Sequence, residues 1–471
     1  MNEALALLRT EPRARVFFGV LAQSSLGTGV AYPALLAIAY SRFHSPWAIS
    51  LVLLADFVPA MVIGPLLGAV VDRWPRLWCA AVADVLRAAA FVGIAVVASF
   101  EATLAFAVLA GVGKALFRPA ALAGIPSMVG SGRSAPATAL YGAISDFGFL
   151  AGGPAIAAGA VALVRPEDLL IANGATFAIS AVALARLAVG DSGAHTDEVL
   201  DTPRSLFREA RDGLWTILQM PGIRVVIFAF AIGMFFGGIF NVIELPFATD
   251  TLGAGVSGYS ALIAVYGVGY IVGTLQGAQG GTASRLKRRF LDGLVLTGIG
   301  SLAAGASFEL ALAVGAFALG GYGNGLTVVH QRLLFQSEVA SSLQGRVFAV
   351  SDALMGWGFA VGFLSAGAMA TASSPRTLML LIGAGEIAIA LIAAAALRRQ
   401  WIASPVGAAF AAPVEVPGPG LRRSADALRH AQTGDQGPHL VDGPNFWLTL
   451  LDDIDKGSDD VGIKLGPSVP D

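Results

Sequence analysis

The sequence contains little charge for its length. Asp, Glu, Lys and Arg make up 13% of the 471 residues, about half of the roughly 25% that soluble domains carry. A soluble protein of this size would lack the polar side chains needed to cover its surface, so the composition excludes that class. Because 55% of the residues are hydrophobic and the mean hydropathy is +0.71, we expect a protein that crosses a membrane many times.

Cysteine is almost absent, and so are the motifs of soluble enzymes. Cys79 is the only cysteine, which excludes a disulfide scaffold and any zinc or iron–sulfur site built from cysteines. The sequence Gly111-Val-Gly-Lys114 lacks the spacing of a phosphate-binding loop. A net charge of −2, without a basic stretch interleaved with aromatic residues, argues against a nucleic-acid partner. We therefore expect no cofactor, no metal site and no enzymatic activity.

Long apolar runs fill most of the chain. A helix needs about 20 apolar residues to cross the hydrocarbon core of a bilayer, and twelve such runs occur. They cover residues 16–40, 46–71, 77–99, 102–129, 135–164, 169–189, 222–248, 256–280, 290–308, 310–337, 343–371 and 377–397. We predict an all-α polytopic membrane protein with twelve transmembrane helices in two pseudo-symmetric six-helix bundles.

Basic residues are distributed unevenly over the loops between these runs. Nineteen Lys and Arg, Arg332 among them, fall in the even-numbered loops and at the two ends of the series. The odd-numbered loops hold only Arg42, Arg165 and Arg376. Because cytoplasmic loops carry the excess of basic residues in membrane proteins, this distribution predicts that both termini are cytoplasmic.

The longest polar break separates two groups of six runs. It predicts an N-terminal bundle over residues 1–189, a cytoplasmic linker with an amphipathic helix over 190–220 and a C-terminal bundle over 221–400. Residues 401–471, rich in Pro and acidic residues, predict a disordered acidic cytoplasmic tail. The loops at 68–76 and 277–289 repeat one pattern, a glycine followed by a turn and a basic cluster. Two related halves of six helices are typical of secondary transporters.

The first of these loops carries a family resemblance. Gly68-x-x-x-Asp72-Arg73-x-Pro75-Arg76 resembles the signature loop of the major facilitator superfamily, with Pro75 where Gly is usual. Further segments resemble the drug-exporter branch of that superfamily, which includes twelve-helix macrolide and siderophore exporters. These segments are Gln23-Ser-Ser-Leu-Gly27, Ala83-Asp84-Val-Leu-Arg87-Ala, Phe117-Arg118-Pro119-Ala120, Gly153-Pro154 and Gly345-Arg346-Val347-Phe348. The resemblance covers about residues 10 to 400.

The resemblance implies a location and an architecture. It implies a multi-pass protein of the bacterial plasma (inner) membrane. Helices 1, 4, 7, 10 and 2, 5, 8, 11 would line a central cavity, and helices 3, 6, 9 and 12 would lie outside it.

The signature loop predicts a gate between the halves. Gly68 would let helices 2 and 11 approach closely, and Asp72 would accept hydrogen bonds from the start of helix 11 near Gly345. The predicted gating residues are Gly68, Asp72, Arg73, Arg76, Gly345 and Arg346. Alternatively, the loop only fixes the topology, because Arg73 and Arg76 would keep it in the cytoplasm.

Ionisable residues inside the predicted helices need a reason, because a charge at bilayer depth costs about 2.5–3.5 kcal/mol or more. Asp56 and Lys114 both lie near mid-depth in one half and could form a buried pair. With Arg118 and Asp146 they are the predicted cluster for proton coupling and for polar contacts to substrate. The alternative is a static pair that fixes helix packing.

Other intramembrane polar residues receive weaker assignments. Asp84 and Arg87 are three residues apart and predict a structural pair, whereas Asp352 and Glu386 receive no role. The glycine-rich stretch at 320–325 predicts a broken helix that exposes backbone carbonyls to the cavity. The predicted substrate-cavity residues are Gln23, Asn241, Glu244, Tyr266, Asn324 and His330.

These features predict a secondary active transporter in the lipid bilayer. We expect a monomer that exports amphipathic or lipophilic small molecules, drug-, macrolide- or siderophore-like, by alternating access, with protons as the coupling ion. One alternative is the same fold acting as an importer or lipid mover. Another is a membrane sensor or scaffold that transports nothing and uses the C-terminal tail. Paired charges inside the membrane favour coupled transport over the scaffold.

Overall fold

The structure is a computed structural model, and it describes residues 7–189, 211, 213–215 and 217–403. Most of the predicted linker at 190–220 and nearly all of the predicted tail at 401–471 lie outside the described residues. Within the described ranges the secondary structure is helical, with no strand. The predicted all-α fold is therefore confirmed for this part of the chain.

The described residues include twelve long helices, which short loops join within each group of six. In chain order the helices are α1 (Pro12–Phe43), α2 (Pro46–Arg73), α3 (Arg76–Val96), α4 (Phe100–Val129), α5, α6 (Pro166–Val189), α7 (Pro221–Pro246), α8 (Gly255–Gly277), α9 (Ala283–Ala306), α10 (Leu310–Glu338), α11 (Ser341–Ala372) and α12 (Pro375–Ala403). Helix α5 consists of the α-helical segments Ser134–Asp146 and Gly153–Ala160 around the π-helical turn Phe147–Gly152. A second π-helical turn, Phe247–Thr251, continues α7.

Local sequence explains where several helices begin. Proline occupies the first turn of α1, α2 and α7, where its missing N–H is not needed and its fixed φ suits a helix. The Ser45 side chain caps α2 by accepting from the Trp47 N–H at 3.2 Å, and Ser99 caps α4 through the Ala102 N–H. The left-handed conformation of His44 (φ 49°) turns the chain sharply from α1 into α2. Such short connections place consecutive helices antiparallel.

Eleven of these described helices are long and apolar enough to cross a membrane, judged by length and composition. The exception is α9, which spans 24 residues but is basic in its first turns. Its charged residues there are Arg285, Lys287, Arg288, Arg289 and Asp292. Each of the twelve runs predicted from the sequence nevertheless corresponds to one of these helices.

The predicted break in α10 is wrong. The helix runs without interruption from Leu310 to Glu338. A Cβ atom at Gly323 would lie 2.5 Å from the Thr297 backbone N of α9, and Gly321 and Gly325 pack directly on backbone carbonyl groups of α8. The glycines therefore bring α10 into backbone contact with α8 and α9, as small residues do in membrane helix packing.

The helices form two halves, α1–α6 and α7–α12, with apolar side chains packed inside each. In the first half one cluster includes Phe17, Leu77, Phe117 and the buried Cys79. In the second, Phe230 and Phe290 pack together near the start of α7. We call the end that holds the α2–α3 and α8–α9 loops the basic end, and the opposite end, with the α1–α2 and α11–α12 loops, the far end.

The two halves pack against each other toward the far end. Gly267 of α8 lies against the Leu150 carbonyl of α5, and a Cβ at Gly356 of α11 would lie 2.6 Å from Met61 Sδ of α2. Near the far end, the Tyr40 hydroxyl of the first half donates to Asp250 of the second. Contacts between backbones and small residues thus close this end.

The basic end is open. A Cβ placed on Gly64 or Gly68 of α2, on Gly142 of α5 or on Gly345 of α11 would have no heavy atom within 4 Å. The close approach of α2 and α11 that the sequence predicts at Gly68 is therefore wrong for this conformation, because the two helices meet nearer the far end. We infer that a cleft between the halves opens toward the basic end.

Candidate functional site

Asp56 of α2 and Lys114 of α4 form an ion pair inside the first half. The side chain of Asp56 is 17% exposed, whereas that of Lys114 is 48% exposed. Gly111, one turn before Lys114, packs on the backbone of Asp56, and a Cβ there would lie 3.2 Å from the Ala55 carbonyl oxygen. Glycine at this position therefore lets α4 come close enough to α2 for the pair to form, as the sequence suggested it could.

A cavity of about 40 Å³ adjoins this ion pair. Its polar lining comes from Thr28 and Tyr32 of α1 together with Asp56, Arg87 and Lys114. A water molecule needs ~10–15 Å³ on this measure, so the cavity has room for a few waters and not for a drug-sized molecule. The carboxylate of Asp56 therefore borders a space that water can occupy.

Arg87 and Asp84 form the structural pair that the sequence predicts on α3. Asp84 is fully buried, at 0% exposed. The Arg87 guanidinium lies 4.0 Å from the ring centre of Phe117 and 4.2 Å from that of Phe177. Stacking of a cation on two aromatic rings adds to the attraction of the carboxylate, so this pair joins α3 to α4 and α6.

Tyr32 connects the two halves at the inner end of the cleft. Its hydroxyl donates to Asn241 Oδ1 of α7 at 3.5 Å, and the Asn241 side chain donates in turn to the Gly237 carbonyl at 2.7 Å. Tyr32 also lies within electrostatic range of Asp56 in its own half and of Glu244 in the other. The predicted cavity residue Asn241 is thus placed at the junction of the halves.

Glu244 and Glu386 are buried carboxyl groups in the second half, each 5% exposed. Glu244 accepts from the Tyr259 hydroxyl at 3.1 Å, and Glu386 of α12 accepts from the Ser301 hydroxyl of α9 at 3.2 Å. Among the described residues, neither carboxyl group has a basic side chain within 4.0 Å. Glu386, unassigned from sequence, therefore contributes to the packing of α9 and α12.

Tyr266 and Asn324 pair with each other between α8 and α10. The Asn324 side-chain amide donates to the Tyr266 hydroxyl at 2.8 Å. The Tyr266 ring packs against Phe240 of α7, with ring centres 5.7 Å apart. These two predicted cavity residues thus form one polar contact within an aromatic wall.

Two other predicted cavity residues bond to backbone carbonyl groups within their own half, Gln23 between two helices and His330 within its own helix. Gln23 of α1 donates to the Thr176 carbonyl of α6 at 3.3 Å. His330 of α10 is buried, and its Nδ1 lies 2.7 Å from the Leu326 carbonyl oxygen one turn earlier. Both contacts satisfy polar groups inside a bundle, which is the role expected of buried polar side chains.

Four exposed charged residues lie between the centre of the protein and the basic end. Arg118 of α4 and Asp146 of α5 come from the first half, as predicted from sequence. Arg332 of α10 and Asp352 of α11 come from the second half, and each arginine is an electrostatic neighbour of both aspartates. Sequence reasoning missed the last two because Arg332 counted as a loop residue and Asp352 could not be oriented.

The structure describes the side chains of most, but not all, of the predicted gating residues. The side chain of Asp72, with its predicted hydrogen bonds to the start of α11, lies outside the described residues. Arg76 donates to the Ala123 carbonyl of α4 at 3.0 Å, whereas Arg73 is exposed. Gly345 and Arg346 at the start of α11 are exposed as well, which agrees with an open basic end.

Two six-helix halves around a charged cleft that is open at one end have the architecture of a secondary transporter. Residues 17–291 match the family model of the Major Facilitator Superfamily. Since this match covers more than half of the chain, the protein belongs to the Major Facilitator Superfamily and is a multi-pass membrane transporter.

Two curated relatives match most of the chain. BacE of Bacillus amyloliquefaciens, a proposed bacilysin exporter, is 25% identical over 359 residues, which are 75% of this chain and 87% of the relative. The uncharacterized MFS-type transporter y4rN of Sinorhizobium fredii is 26% identical over 349 residues, covering 72% of this chain and 84% of that protein.

Two solved structures share the fold at low sequence identity. A bacterial homologue of the human lysosomal transporter Spinster, inward-facing and occupied, has a TM-score of 0.62 at 15% identity and covers 82% of this chain and 96% of its own. The nucleoside transporter NupG has a TM-score of 0.66 at 14% identity, covering 82% of this chain and 99% of its own.

Proposed function

We propose that the protein is an exporter of the bacterial inner membrane that expels amphipathic or lipophilic small molecules in exchange for protons. It works as a monomer by alternating access, with the basic end and both termini in the cytoplasm. The excess of basic residues at one end supports this orientation. Similarity to the proposed bacilysin exporter BacE supports the outward direction of transport.

The observation that carries the proposal is the intramembrane ion pair of Asp56 and Lys114. A charged pair inside a membrane protein is retained at a cost, and such residues commonly mark ion pathways. Lys114 is half exposed, so a substrate or water can draw it away from Asp56. A carboxylate that loses its cationic partner in a poorly solvated site takes up a proton more readily. Movement of Lys114 would thereby link substrate binding to proton uptake.

The conformation fits the loading step of an exporter. With the basic end cytoplasmic, the cleft is open to the cytoplasm and closed toward the outside. Arg118 and Asp146 then supply polar contacts to a substrate that enters from the cytoplasm, and Asn241, Tyr266 and Asn324 lie further in. Closure of the basic end and opening of the far end would complete the cycle.

The test is the variant Asp56→Asn, which cannot take up a proton but keeps a hydrogen-bonding side chain. In inverted membrane vesicles energised with a proton gradient, we expect the uptake of lipophilic dyes and macrolides driven by the gradient to fall to background. Asp168→Asn is the matched control, because Asp168 is an exposed aspartate paired with Arg165 at the far end.

Both variants are first checked for equal expression and for thermal unfolding like that of the wild-type protein. Gradient-driven uptake in Asp56→Asn equal to that of Asp168→Asn would reject the coupling role. If uptake occurred only in right-side-out vesicles and not in inverted ones, the protein would be an importer and the proposed direction of transport would be wrong.

A further inference from the structure

Arg118, Asp146, Arg332 and Asp352 form a group that we call the charge quartet. Each half contributes one basic and one acidic member, and all four side chains are exposed. The arginines lie within electrostatic range of both aspartates, across the cleft as well as within each half. Tyr270 of α8 adjoins the group and interacts with Asp146 and Arg332.

The quartet lies deep within the protein. Arg118, Asp146 and Asp352 are each eleven or twelve residues from the basic end of their helices, about 17 Å at the helical rise of about 1.5 Å per residue. Arg332 is six residues from its helix end, and its long side chain extends the reach of its charge. These charges therefore face the cleft at the depth a bound substrate would occupy.

The members of the quartet are not paired with one another. Within the described part of the chain, no ion pair of 4.0 Å or less joins them. This contrasts with Asp56 and Asp84, which both have a basic partner in direct contact. Two carboxylates and two guanidinium groups thus remain available in the open cleft to a ligand.

The balance of charge in the quartet restricts which ligand it favours. The two arginines and the two aspartates have a net charge of zero. A bound anion would leave the two aspartates without a partner, and a bound cation would leave the two arginines without one. A ligand that carries a carboxylate and an ammonium group satisfies an arginine and an aspartate together. Desolvating a charge without a partner is expensive, so complementary charges select strongly between ligands.

We propose that the charge quartet binds the substrate, and that the substrate is a zwitterion with a carboxylate, an ammonium group and an apolar body. This assignment rests on the proposed function and narrows its amphipathic substrates to one chemical class. The carboxylate is shared by Arg118 and Arg332, the ammonium group is shared by Asp146 and Asp352, and Tyr270 contacts the body between them.

The test uses the purified full-length protein and measures binding in the absence of any gradient. The probes are phenylalanine, Ala-Phe and Ala-Ala-Phe, whose charge separation increases with length. Each is compared with its N-acetylated form, which lacks the ammonium group, and with its amide, which lacks the carboxylate. We expect at least one zwitterion to bind about tenfold or more tightly than both of its blocked forms, by equilibrium dialysis.

Variants then connect this preference to individual residues. Arg332→Gln should remove the preference for the zwitterion over its amide, and Asp352→Asn should remove the preference over the N-acetylated form. Arg285→Gln, an equal loss of charge at an exposed position of α9, should leave both preferences unchanged. Arg332 and Asp352 are used because neither takes part in the proposed proton coupling.

Three results would overturn the assignment. The first is that no zwitterion binds, the second is that none binds better than its blocked forms, and the third is that Arg332→Gln and Asp352→Asn weaken all probes alike. The third result would mean that the quartet only holds the halves together when the basic end closes. Binding is measured without a gradient. A failure of proton-driven export would therefore not alter the binding result, and a failure to bind zwitterions would not alter the export result.

Discussion

The two halves differ in how they hold the carboxyl groups that are packed between their helices. In the first half, Asp84 pairs with Arg87 and Asp56 pairs with Lys114. In the second half, Glu244 and Glu386 are bound by the hydroxyl groups of Tyr259 and Ser301. Within the described residues, then, one half neutralises its buried acids with cations and the other satisfies them with neutral donors.

The difference bears on what each half can do. An ion pair is stable only while both partners keep their charges, and removing one partner leaves the other exposed to the full penalty of burial. A hydroxyl group can donate to a carboxylate or accept from a carboxylic acid, so it suits either protonation state. We infer that the packing of the first half depends on the fixed charges of Asp84 and Arg87, whereas Glu244 and Glu386 of the second half suit either protonation state. The Asp56–Lys114 pair differs from Asp84–Arg87 because Lys114 is half exposed and can move away from Asp56.

The largest effect is expected for Arg87→Met. The change leaves the fully buried Asp84 without its cation and removes the stacking on Phe117 and Phe177. Breaking a buried ion pair in this way costs about 3–5 kcal/mol. Denaturant titration of the purified protein should show a loss of this size, and the double variant Asp84→Asn with Arg87→Met should recover part of it. Equal stability of Arg87→Met and wild type would remove the contrast between the halves.

An intermediate effect is expected for Lys114→Met. Asp56 retains some exposure and adjoins a cavity with room for water, so the unpaired carboxylate is partly solvated. We expect a loss of about 1–3 kcal/mol in the same titration, smaller than for Arg87→Met. A loss as large as that of Arg87→Met would show that water does not reach Asp56.

The smallest effect is expected for Glu386→Gln. The amide keeps an oxygen that accepts from Ser301 and is close to glutamate in size, so the free energy of unfolding should fall by about 1 kcal/mol or less. Glu386→Leu serves as the comparison, because it removes the hydrogen bond and leaves the Ser301 hydroxyl without this partner. A loss of several kcal/mol in Glu386→Gln would indicate a fixed charge in the second half and would contradict the contrast.

Much of the fold could be predicted from the sequence because membrane helices satisfy their own backbone hydrogen bonds. Apolar length alone located the helices, including α9, whose basic first turns lower its hydropathy. The Asp56–Lys114 pair could be anticipated because both residues lie at mid-depth on helices of the same half. These are local properties of the chain.

The failures concern contacts between distant segments. Glycines can break a helix or let two helices touch, and only the neighbours of Gly321, Gly323 and Gly325 show that they do the second. Glu386 could not be interpreted because its partner, Ser301, is 85 residues away. Likewise, Arg332 faces Asp146 only after the two halves assemble.

The single cysteine has a practical consequence for following the cleft in motion. Cys79 is packed inside the first half and is not accessible at the surface. A thiol introduced at Gly68 or Gly345 would therefore be the only reactive one on the native background. Pairs of fluorescent or spin labels at such positions can report the separation of the halves in a membrane, without first removing natural cysteines.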